Sequence, residues 1–179
     1  ATLAISTTSG AQITDAALTK ANVTQPDVGA SNGVIHVIDK VLIPPGVLNV
    51  VQMAQVNPLF TSLVNAVVAT NLQGALSGAG PFTVFAPTNE AFAAAPTGLT
   101  TDQLKTVLLY HVLDKKVLAS QIPFGTPIAT LAGQDITINQ GTPPTITDTT
   151  STPADIIATD VLASNGVIHV INKVLIPTL

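Results

Sequence analysis

Three histidines, His36, His111 and His169, are the side chains whose ordinary pKa lies near neutrality, so any acid–base chemistry would fall to one of them. Their settings argue against it. His36 and His169 occupy the same place in two near-identical β-branched stretches, where an imidazole is commonly spent on neighbouring main chain. His111 follows Tyr110 at the end of an apolar run with helical spacing. The sequence has no nucleophile elbow, no His-Glu-x-x-His helix and no Walker loop. No His or Asp pair has the spacing of a closed metal site. The absence of cysteine excludes disulfides, thiolate nucleophiles and thiolate metal ligation together. The residue types point away from an enzyme and away from a bound cofactor or metal.

Composition narrows the class further. Of 179 residues, 46% are hydrophobic and only 9% charged, so Thr, Ser, Asn and Gln must cover most of the surface. Arginine is absent, the formal net charge is −4, and the one lysine cluster is Lys115-Lys116, which excludes a phosphate-binding stripe and with it nucleic acid. Pro, Asn and Gln interrupt every apolar run short of a bilayer span, so no transmembrane segment is expected. A chain that starts at Ala1, has no thiol to oxidise and is rich in Thr fits export to an extracellular or cell-surface setting. Asn22-Val23-Thr24 forms a glycosylation sequon on a turn-like stretch.

The elements that would position any site are organised by a repeat. Ser31–Pro44 and Ser164–Pro177 are identical except that Asp39 becomes Asn172, and upstream Ile13-Thr14-Asp15 aligns with Ile146-Thr147-Asp148, Ala21 with Ala154 and Asp27 with Asp160. Each copy reads as an Asn-Gly turn, with positive φ, leading into a strand covered on both faces. The repeat matches residues 2–44 to 135–177 and leaves nothing upstream to match 47–133. Residues 1–45 therefore read as the C-terminal half of a unit and residues 46–179 as a complete one.

Along the complete unit, a helix is expected over Val47–Ala54 and a second from Asn57-Pro58, ending by Gly74 and Gly78–Gly80. A short strand, Pro81–Pro87, precedes a small helix capped at Thr88. Thr100-Thr101-Asp102-Gln103 has the form of a capping box ahead of a helix reaching Tyr110-His111. Strands are then expected at 126–131, 135–139, 145–147, 156–159 and the repeated stretch. Helices first and strands after give an α+β domain.

Three of these stretches resemble the fasciclin (FAS1) family: Phe82–Phe92 its first signature, Tyr110-His111 its central motif, and Asn165–Pro177 its second signature. The resemblance implies a compact β-sheet wedge with helices packed at one side. It also implies a non-enzymatic adhesion or matrix module that binds a cell-surface or matrix protein, a glycan or itself. Tyr110 and His111 are its candidate partner-binding residues, against a reading of both rings as core. Asp155 and Ile156 belong to Pro153-Ala154-Asp155-Ile156, a second adhesive motif into which Ala154 is inserted. The alternative is a self-assembling structural protein, with Val34, Ile35, Val37, Ile38, Val41 and Ile43 of the first copy as its association surface. Those residues carry strand-forming character without the helices that would cover them, so a homo-oligomer or a neighbouring FAS1 unit is the expected cover, and docking back onto the chain's own complete unit is not.

Overall fold

The computed structural model describes residues 3–8 and 10–179, so the start of the first repeat copy at residue 2 lies outside it. Four strands form an N-terminal antiparallel sheet in sequence order: β1 (Ala4–Ser6), β2 (Gln12–Thr14), β3 (Lys20–Ala30) and β4 (Gly33–Ile38). The remainder begins with α1 (Val50–Val56), whose cap Asn49 and Gln52 bond reciprocally, satisfying donors that a helix start leaves free. Asn57 ends α1 and caps a 3-10 turn at Pro58–Phe60, after which α2 (Thr61–Ala69) runs on. A further short helix, α3 (Gln73–Leu76), continues across Gly74 rather than stopping there.

Next come β5 (Phe82–Pro87), α4 (Asn89–Ala93) capped by Thr88, and α5 (Thr101–Tyr110) with the expected Thr100/Gln103 capping box. The strands β6 (Val112–Leu113), β7 (Pro127–Ala129), β8 (Asp135–Asn139), β9 (Thr145–Thr147), β10 (Ala154–Ala163) and β11 (Gly166–Ile171) complete the chain. Their sheet has the order β6-β5-β11-β10-β9-β8-β7. Leu131, just past β7, donates its N–H to the Val112 carbonyl of β6 at 2.8 Å, which draws the two edges of the sheet together.

The centre is the pair β5–β11. It is parallel, with Gly166 opposite Phe82 and Ile171 opposite Pro87, inside the α+β arrangement of helices first and strands after. Side chains alternate across a strand, and here both faces are covered. Val84, Ala86, Ile168 and Val170 face Met53, Leu63, Val67 and Leu108 of the helices. Phe85 and Ile171 face Ile136, Ile138, Ile146 and Ile156 inside the curved sheet. Burying each such side chain contributes roughly 1.5–3 kcal/mol, which makes this pair the principal anchor of the fold.

The first copy of the repeat behaves differently. All six residues of β11 are buried, whereas β4, with the same six residues, leaves five exposed and only Ile38 half-buried. The apolar pattern is the same in both copies, but among the described residues no helix precedes Val50 to cover β4 as the helices cover β11. The N-terminal sheet does touch the rest of the molecule, but through its turn: Ala17 and Leu18, with Ile43, pack against the helix-side core, and Asn57 donates to the Ala17 carbonyl at 2.8 Å. Docking back onto the chain's own unit therefore occurs, at a place other than that held by β11. The expected positive φ is also missing, since neither Asn-Gly pair contains a positive-φ residue. Gly166 is required for another reason: a Cβ there would lie 2.2 Å from the Phe82 carbonyl oxygen.

Candidate functional site

Tyr110 and His111 end α5, and the structure puts both inside, at 1% and 2% exposure. The Tyr110 hydroxyl donates to the Asp135 carbonyl at 2.8 Å. His111 Nε2 accepts the Leu175 N–H at 2.9 Å, so its proton sits on Nδ1, which donates to the Val107 carbonyl at 2.7 Å. Burial pushes the imidazole down to about 4, against the opposing pull of that hydrogen bond, so it is neutral at physiological pH. Both polar tips are thus spent on main chain, and the motif ties the helix end to β8 and to the segment after β11.

His169 on β11 is fully buried and stacks on Phe85 with ring centroids 5.7 Å apart. Its Nδ1 accepts the Asp160 N–H and its Nε2 donates to the Val117 carbonyl at 2.9 Å. Burial lowers its pKa as well. His36, its counterpart on β4, keeps the first contact, with Asp27 N–H at 3.2 Å, but is half exposed.

Asp155 is half-buried and Ile156 is buried at 3% exposure, so of these two candidate residues the aspartate reaches the surface, beside the exposed Pro153. Its carboxylate accepts from Asn172 Nδ2 at 2.8 Å, while Asn172 Oδ1 accepts the Asp155 N–H at 2.8 Å. The first copy holds the same ring with the partners exchanged, Asn22 donating from Nδ2 and N–H to the Asp39 carboxylate. These hydrogen bonds lower the Asp39 pKa. The differences at 22/155 and at 39/172 are therefore one compensated exchange.

Sequence reasoning missed a pair of buried carboxylates. Asp148 has no exposed side-chain surface and accepts from Lys173 Nζ at 2.6 Å, from Thr150 and from the Ile176 N–H. Burial would raise its pKa, but these donors outweigh burial and hold it below the usual carboxylate range. Asp15 repeats the arrangement with Thr19, Lys40 and the Ile43 N–H, and is depressed by the same balance. The signal was present in the alignment of Asp15 with Asp148 and of Lys40 with Lys173. Both serve as clamps for the chain leaving the repeated strand.

The residues proposed for association divide by exposure. Val34, Ile35, Val37 and Val41 are exposed, the last at 85%; Ile38 and Ile43 are half-buried, and Ile43 packs on the helix-side core. Among the described residues, no group of three or more His, Cys, Asp or Glu is placed to hold a metal ion, and no helix is long and apolar enough to cross a membrane.

With this geometry in view, the chain can be set beside known proteins. The fasciclin domain family model matches residues 1–44 and 58–177. Protein sll1483 of Synechocystis sp. is 43% identical over 140 residues, covering 73% of this chain and 74% of that protein. Transforming growth factor-beta-induced protein ig-h3 of Sus scrofa is 36% identical over 163 residues, but the match takes in 88% of this chain and only 23% of that one. The solved FAS1 domain pair of the insect cell adhesion molecule Fasciclin I superposes on 99% of this chain and 66% of its own, with a TM-score of 0.68 at 20% identity, a likeness of fold. By sequence and by fold, this chain belongs to the fasciclin family.

Proposed function

We propose that the protein is an extracellular or cell-surface binding module of the adhesion and matrix type, without enzymatic activity, built as a complete fasciclin unit (46–179) preceded by the C-terminal half of another (1–45). One observation carries the reading. The buried groups that could do chemistry are committed to structure: both buried histidines have each ring nitrogen bonded to main chain, and the buried carboxylates are clamped by lysine and backbone donors. What remains accessible is a charge-poor surface of hydroxyl and amide groups with an apolar strand face, suited to contact with another macromolecule. Membership of a family that includes a cell adhesion molecule supports the same reading. Because Tyr110, His111 and Ile156 are interior, they act by shaping the surface over them, and of the four candidate residues Asp155 is the one able to touch a partner.

Beads coated with the chain test this. They are expected to adhere to one another or to surfaces coated with collagen or polysaccharide, well above beads carrying serum albumin. Turnover of ester or glycoside substrates by a chain that adheres to none of these would overturn the proposal.

A further inference from the structure

We infer that β4 and its hairpin are a receiving surface for the front half of a further fasciclin unit, a polypeptide of the Val50–Ala119 type that would pair its β5-like strand in parallel with Gly33–Ile38. This rests on reading residues 1–45 as a C-terminal half. The complete unit displays the contacts that such a half makes. Asp160 accepts the Ala119 N–H at 2.8 Å. Asn165 accepts from Val50 N–H and donates to the Leu76 and Gly78 carbonyls. Gly166 makes room for the Phe82 carbonyl, and His169 donates to Val117. Every one of these partners lies between residues 50 and 119.

The first copy carries the same four residue types in register, as Asp27, Asn32, Gly33 and His36, and all four are exposed. This is not uniform likeness between copies, for over residues 16–26 they agree only at Thr19/Thr152 and Ala21/Ala154. Gly33 is the sharpest case. Its φ is not positive, and a Cβ there would meet nothing within 4 Å, so the sheet as it stands has no need of a glycine; an incoming carbonyl, as at Gly166, would.

The chain's own front half cannot fill the place. In the complete unit that segment enters beside Leu162–Asn165, where Gly46 N–H meets the Leu162 carbonyl and Ser164 N–H the Leu48 carbonyl. The first copy delivers the chain at its opposite end, at Pro44, a strand length of about 20 Å away, and the two residues that follow span less than half of that. A second copy gains nothing by lending its front half, because each chain has two such strands and one front half, so its own β11 would be uncovered in exchange. The occupant is therefore the front half of another fasciclin unit.

Placing a duplicate of residues 46–133 ahead of Ala1 tests this, since residue 1 aligns with residue 134 and the natural connection is reproduced. Amide exchange at residues 33–38, measured with β11 as the folding control, should slow by about a hundredfold or more relative to the 179-residue chain. Gly33→Val should leave the melting temperature of the 179-residue chain unchanged yet abolish the added protection in the extended chain. The inference is overturned if β4 stays unprotected while β11 is protected. It is equally overturned if Gly33→Val destabilises the 179-residue chain. Protection of β4 in the 179-residue chain that rises with concentration, alongside a dimer mass by light scattering, would assign the surface to a second copy instead. Bead adhesion reads the adhesion proposal separately, and either result there is compatible with either result here.

Discussion

Asn22–Asp39 and Asp155–Asn172 show how much a single residue means only in company. Seen in the sequence, Asp39 against Asn172 is one difference in an otherwise identical stretch, and Asn22 against Asp155 removes a charge from a candidate adhesive motif. In three dimensions each pair is a closed ring of hydrogen bonds that needs one carboxylate and one amide, in either order. Asn172→Asp would set two carboxylates against each other and remove the amide donor, and should cost about 1–2 kcal/mol in urea unfolding, given partial exposure. Adding Asp155→Asn should restore most of it, a coupling that a double-mutant cycle reads directly. Equal losses summing in the double variant would show that the ring contributes nothing. The sequence could have revealed the exchange only by aligning the copies beyond their identical stretch and asking which differences come in pairs.

Helix starts and strand limits were partly legible, because they rest on local chemistry: Thr100 caps its helix as its capping box implies and prolines bound β5, but α1 starts at Val50 behind an Asn49 cap and not at Val47. The parallel pairing of β5 with β11 was not, since it depends on a contact across some 80 residues that no local pattern encodes. That the histidines are spent on main chain was legible; which elements they fasten was not, for His111 joins α5 to the segment after β11, and His169 joins β11 to Val117. Both are held neutral in the fold, with pKa values below the ordinary 6.5, His111 at about 4. Below pH 6.5 the unfolded chain takes up protons that the folded chain refuses, so stability is full above that pH and falls as pH drops toward 4. From His111 alone the loss should reach roughly 3 kcal/mol by pH 4. The depressed carboxylates Asp15 and Asp148 add a further loss as the pH falls from their ordinary range, near 4, through their folded pKa values. Urea midpoints measured from pH 8 to pH 4 should decline, and His111→Ala should flatten the part of that decline above pH 4. A flat profile in the parent chain would mean that both imidazoles protonate freely in the fold.

At the scale of the whole molecule, one six-residue sequence, Gly-Val-Ile-His-Val-Ile, has two fates. In β11 it lies between helices and a curved sheet, paired with β5 and β10; in β4 it pairs only with β3 and faces outward. Propensity, pattern and turn residues are the same in both, so the difference is wholly one of tertiary cover. The family could be read from Phe82–Phe92, Tyr110-His111 and Asn165–Pro177, and the absence of helices ahead of the first copy pointed to the strand without cover, but the resting of its turn, Ala17 and Leu18, on the helix-side core could not be read. The most direct measurement is residue-resolved amide exchange by NMR on the dilute 179-residue chain, comparing Val34–Ile38 with Val167–Ile171. Val167–Ile171 should exchange only through global unfolding, while Val34–Ile38, at an open edge, should exchange faster by about three orders of magnitude or more. Equal protection of the two strands in a monomer would contradict the account, for it would mean that β4 is covered by its own chain.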